Sequence, residues 1–149
     1  PEKGDPDAVM SAREVPGVRL FMDYRGAEAE YWKQTGIFPI MHVLALRRDV
    51  YEKNRWIAMN LFQAFLEAKK RSMARVSEFG LSHLPLPWVP DHTRHWREIA
   101  GEDFWPYGIE PNRPTLDAFL QYGYEQGVAK KRLKVEDLFA PETAQSFKI

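Results

Sequence analysis

The sequence predicts a mixed α/β fold that is rich in helix and short of strands. Two mainly apolar runs, 7–13 and 37–46, read as buried strands. Between residues 55 and 125 the apolar residues instead recur at helical spacing. Two strands fall short of the roughly four to six in a typical sheet, so partner strands are expected upstream of this chain.

Each element has its own justification. Asp7 to Arg13 is a short buried strand ending on a charge, and Pro16-Gly17 marks a turn. Ala27 to Lys33 is a short helix closed by Gly36. Ile37 to Leu46 is nearly all apolar and is expected to be buried on both faces, with Pro39 near its start. Asp49-x-x-Glu52 has capping-box chemistry and opens a short helix. The longest helix is expected from Arg55 to Phe79, with Gly80 at its left-handed end. Its apolar stripe comprises Ile57, Leu61, Phe62, Phe65, Leu66, Met73 and Val76. Lys69, Lys70, Arg71 and Arg75 complement the dipole near its C-terminus. After the proline-rich 84–90 stretch, Asp91 caps a helix through Ile99. Loop 103–111 leads to a helix over 112–125, and two helical turns near 135–139 and after Pro141 finish the chain.

Composition narrows the functional classes. The chain of 149 residues suits one domain, and its 44% hydrophobic content suits a globular protein. Lys+Arg and Asp+Glu both number 21, so the basic excess of a nucleic-acid binder is missing, as is any pull toward an anionic membrane. No apolar run approaches the roughly 20 residues of a membrane span. With no cysteine, disulfides, thiolate catalysis and Cys-ligated zinc are excluded.

Four groups of side chains bear on chemistry. His42, inside the apolar run, is either a satisfied core histidine or an acid at a strand end. Arg13 is either a solvated charge or a fork for a carboxylate. His92-x-x-His95 has metal-like spacing, but Arg94 lies inside it and no strong ligand set accompanies it, so a surface helix is the better reading. The aromatic loop Phe104-Trp105-Pro106-Tyr107-Gly108 plugs a core or walls a pocket. The run 130–132 is a solvated basic face, and there is no phosphate loop, nucleophile elbow or kinase signature.

Three stretches carry a resemblance: 35–42 (TGIFPIMH), 47–51 (RRDVY) and 103–113 (DFWPYGIEPNR). With 7–13, 20–25 and 137–143 (DLFAPET), they resemble the C-terminal half of 4,5-dihydroxyphthalate-decarboxylase-like proteins. The resemblance implies a type 2 periplasmic-binding fold, with two α/β lobes and the ligand between them. Residues 1–36 would end one lobe and approach the hinge, while 37–149 would supply a returning strand and closing helices of the other.

It also implies a function: decarboxylation of a dihydroxylated aromatic dicarboxylate in an interlobe cleft; no cofactor and no metal site is read from the residues. His42 would donate the proton, Arg13 hold a carboxylate, Trp105 and Tyr107 wall the ring, and Thr35 bond a polar substituent. The expected partners are a small aromatic carboxylate and either the upstream half of the parent chain or a second copy. The alternative is a solute-binding protein delivering a small aromatic or heterocyclic acid to a transporter. A cytoplasmic location goes with the enzyme, a periplasmic one with a signal peptide upstream of Pro1.

Overall fold

A computed structural model describes residues 18–80 and 83–144, so the predicted strand at 7–13 and Arg13 lie outside the described residues. Among the described residues five α-helices carry the fold: α1 Tyr24–Thr35, α2 Arg48–Lys53, α3 Trp56–Val76, α4 Val89–Ala100 and α5 Arg113–Glu125. Turns of 3-10 helix occupy Glu110–Asn112, Val135–Asp137 and Pro141–Thr143. The structure is helix-rich, with no strand among the described residues.

Helix α1 starts where Asp23 accepts a hydrogen bond from the Gly26 N–H at 3.0 Å. It ends where Gly36 adopts φ +66° and returns its N–H to the Trp32 carbonyl at 2.8 Å. That left-handed turn suits glycine because a Cβ would be strained there.

The other ends differ from the expected ones. Asp49 does not cap α2; its carboxylate grips the Arg47 guanidinium at 2.6 and 2.8 Å. The helix starts one residue earlier, after Arg47, so Asp49 stands inside its first turn. Helix α3 stops at Val76, and the Ser77 hydroxyl bonds the Met73 carbonyl at 2.6 Å. Gly80 lies beyond that end and is not left-handed. Helix α4 starts two residues before Asp91, with Pro90 in its first turn, where a missing N–H costs nothing. Asp91 pairs with Arg94 instead. The residue ahead of α4, Trp88, takes φ +65°, uncommon for a bulky side chain.

The apolar 37–46 run is the largest departure from expectation. Residues 36–47 form neither strand nor helix, and no backbone-to-backbone hydrogen bond with a described residue reaches 37–46. Met41, Val43 and Leu44 are 62%, 67% and 60% exposed, and His42 is exposed too. Among the described residues the segment is therefore not the buried strand that was expected. A strand needs neighbours for its backbone and its faces alike, and none of the described elements supplies them.

The buried core is local and C-terminal. Ile109, Leu116, Leu120 and Val135 pack together, with Leu133, Phe139 and Ala144 against them. Two ionic clamps close it. Arg113 holds Glu110 at 2.5 Å and Glu136 at 2.8 Å, tying the start of α5 to the Val135–Asp137 turn. Tyr51 donates to Glu142 at 2.6 Å, with Arg55 3.5 Å from the same carboxylate, drawing Pro141–Thr143 onto α2 and α3. No helix among the described residues is long and apolar enough to cross a membrane.

Candidate aromatic site

The site begins with a loop that leaves α4 at Gly101 and reaches the Glu110–Asn112 turn. Two side chains fix its backbone. Asn112 donates to the carbonyls of Pro106 at 2.8 Å and Gly108 at 2.9 Å, one on each side of Tyr107. Lys69, projecting from α3, donates to both Asp103 oxygens at 2.7 and 2.8 Å and to the Trp105 carbonyl at 3.1 Å. Its ammonium also lies 5.0 Å from the centre of the Tyr107 ring, a cation–π distance. Gly108 takes φ +102°, and a Cβ there would meet the Phe62 ring at 3.4 Å. The loop thus needs glycine at this point.

Phe38 organises the aromatic side. Its ring meets Trp105 at 5.3 Å, Trp96 of α4 at 6.0 Å and Trp32 of α1 at 6.4 Å, each steeply inclined to it. Edge-to-face contacts of this kind favour the positive ring edge against a negative face. The Phe38 N–H donates to the buried Thr115 hydroxyl at 3.1 Å, so α5 anchors the same residue. Trp105 and Tyr107 nevertheless remain part-exposed, Trp105 against Phe38 and Tyr107 beneath the Lys69 ammonium.

The remaining candidates fall as follows. Thr35 spends its only proton on the Tyr31 carbonyl at 2.7 Å and accepts from the Ile37 N–H at 3.1 Å, which leaves one lone pair. His42 sits four residues beyond Phe38 on the exposed segment. His92 and His95 are exposed on α4, and no three metal-ligating side chains converge among the described residues. The structure therefore brings Trp105 together with Phe38 and Tyr107 with Lys69, and leaves His42 on open surface.

Electrostatics separates the clamps from the aromatic site. The Tyr51 hydroxyl holds the Glu142 carboxyl below its ordinary range, while the Glu142 carboxylate pushes the Tyr51 phenol up. The Arg113 guanidinium likewise holds Glu110 low. These pairs tie the turns at Val135–Asp137 and Pro141–Thr143 to the helices and serve the fold.

Three residues of the site escape a reading by pattern: Lys69, Phe38 and Asn112. Lys69 looks like one more cation of a helix C-terminus. Its signal is position, for it falls on the apolar stripe, four residues after Phe65 and four before Met73. A lone cation on an apolar stripe needs a partner, and Asp103 is that partner.

A search against family models finds no match. A curated 4,5-dihydroxyphthalate decarboxylase from Comamonas testosteroni is 35% identical over 130 residues, 87% of this chain. The chain is homologous to 4,5-dihydroxyphthalate decarboxylase. It spans 39% of that relative's length, so it matches a part of the decarboxylase and not the whole.

Proposed function

We propose that this chain supplies one aromatic wall of a cleft for a dihydroxylated aromatic dicarboxylate in a protein that decarboxylates it. The homology over 87% of the chain carries this reading. The placement of Trp105 on Phe38, with Tyr107 beneath a cation, supports it. Flat apolar surface recognises a ring.

The finer architecture belongs to the same proposal. Residues 1–36 end one α/β lobe and approach the hinge, and 37–149 bring a strand and closing helices to the other. Segment 37–46 becomes that strand when a neighbour outside this chain pairs with it. The pairing satisfies the free backbone groups and covers Met41, Val43 and Leu44.

In the reaction, His42 as imidazolium protonates the ring carbon that bears the departing carboxylate. The hydroxyl para to that carbon stabilises the resulting cation. The carbon–carbon bond to the carboxylate then breaks, its electron pair restores the aromatic ring, and carbon dioxide leaves with 3,4-dihydroxybenzoate as the other product. Arg13 holds the retained carboxylate, Trp105 and Tyr107 wall the ring, and Thr35 accepts from a ring hydroxyl through its remaining lone pair.

The test incubates the full-length protein, shown folded by circular dichroism, with 4,5-dihydroxyphthalate. Carbon dioxide and 3,4-dihydroxybenzoate are followed against a heat-inactivated control. Turnover that His42→Ala abolishes while binding persists supports the mechanism, and unchanged turnover in that variant removes His42 from it. Binding without any product would replace the enzyme by a solute-binding protein.

A further inference from the structure

We propose that Lys69 is a positioning residue of the aromatic loop 103–107: its ammonium on α3, acting with the Asn112 amide, sets where Trp105 and Tyr107 stand. The inference rests on the reading of those two residues as ring walls, and it assigns to Lys69 the job of holding them apart and in register. Three contacts carry it. The ammonium bonds the Asp103 carboxylate at the start of the loop, at 2.7 and 2.8 Å. It takes the Trp105 carbonyl at 3.1 Å in the middle. It lies 5.0 Å from the Tyr107 ring centre at the end. Helix α3 is a rigid base for such a clamp, because the Lys69 stem lies on its apolar stripe and only 12% of the side chain is exposed.

The chemistry of the pair separates positioning from plain stabilisation. Asp103 keeps 59% of its side chain in solvent, so removal of Lys69 leaves a carboxylate that water solvates readily. Removal of Asp103 instead strands a mostly covered ammonium with the Trp105 carbonyl as its remaining oxygen partner. Lys69→Met therefore releases the loop at little cost to the fold, whereas Asp103→Ala costs more stability. An arginine at position 69 keeps the charge and reaches the same oxygens, so Lys69→Arg restores most of the wild-type behaviour.

The experiment labels the full-length protein with 5-fluorotryptophan and assigns the Trp105 fluorine resonance by its loss in Trp105→Phe. Lys69→Met, with Lys69→Gln as a second variant should the first fold poorly, is expected to shift or broaden the Trp105 resonance. The resonance of Trp56, at the start of α3, stays in place, and Lys69→Arg returns Trp105 toward its original position. Calorimetry with 4,5-dihydroxyphthalate is expected to show affinity falling by about tenfold in Lys69→Met, with recovery in Lys69→Arg. A Trp105 resonance that does not move in Lys69→Met or Lys69→Gln overturns the proposal, whatever the affinity does. Should the wild-type protein bind no 4,5-dihydroxyphthalate while the resonance moves as expected, the ligand reading fails and the positioning role of Lys69 stands.

Discussion

The segment between α1 and α2 and the C-terminal region from Ile109 to Ala144 use similar apolar residues and treat them oppositely. Around α5, Leu116, Leu120 and Val135 are buried, Val135 to 1% exposure. Between α1 and α2, Met41, Val43 and Leu44 face solvent. Hydrophobicity is the same in kind; the difference lies in what each backbone needs. A helix satisfies its own N–H and C=O groups, so a nearby turn suffices to cover its apolar face. A strand-like run must borrow both its hydrogen bonds and its cover from elsewhere. Phe38 marks the boundary, since one bond to Thr115 and three aromatic neighbours capture it while the residues after it stay open.

Four measurements break or sharpen this contrast, the first with the largest effect. Leu116→Ala removes a core side chain that neighbouring turns enclose. Urea melts are expected to show a loss of about 2–4 kcal/mol; a loss below about 1 kcal/mol would mean that this core is no better packed than the open segment. Phe38→Ala deletes three edge-to-face contacts at once. It is expected to cost about 2 kcal/mol and to change the near-ultraviolet circular dichroism, because Trp32, Trp96 and Trp105 all lose their common neighbour.

The third measurement is thermal stability against pH. Folding holds Glu142 and Glu110 below the ordinary carboxylate range, through the Tyr51 hydroxyl and the Arg113 guanidinium respectively. A depressed folded pKa gives stability that is present above the unfolded value, about 4.3, and is lost as pH falls through the folded value. The melting temperature should hold between pH 7 and about pH 5 and decline below about pH 4. Glu142→Gln should make that decline shallower. An equally steep decline in the variant would assign the acid sensitivity elsewhere.

The smallest effect is expected in the open segment. Leu44→Ser in this 149-residue chain should change stability by no more than about 0.5 kcal/mol, since the side chain is already 60% exposed. The same substitution in a longer form of the protein discriminates sharply. A cost of about 2 kcal/mol there would show that a further element covers the segment, as the proposed strand pairing requires.

Much of the helical skeleton was legible from residue order alone. The Gly36 stop, the period of α3, the span of α5 and the turns at 135–137 and 141–143 depend on neighbours within a few residues, where propensity and capping rules act. Caps with competing local partners were less legible. Asp49 and Asp91 each stand inside the first turn of their helix with an arginine within three residues, and each carboxylate pairs with that arginine. Of the site, the aromatic loop 104–108 was visible as an irregular concentration of rings, while its anchors were not. Lys69 and Asp103 are 34 residues apart, and Phe38 and Thr115 are 77 apart.

By itself, then, the sequence determined the local elements: where helices run, the loop that carries Trp105 and Tyr107, and the balanced charge that gives no footprint for nucleic acid. Tertiary structure alone decided which of the two apolar regions is covered, which carboxylates cap and which pair, and that a lysine on an apolar helical face joins Asn112 in holding the aromatic loop. The physical reason is range. Backbone hydrogen bonds within a helix close over four residues, whereas burial, ion pairing and ring contacts depend on which distant segments arrive at the same place.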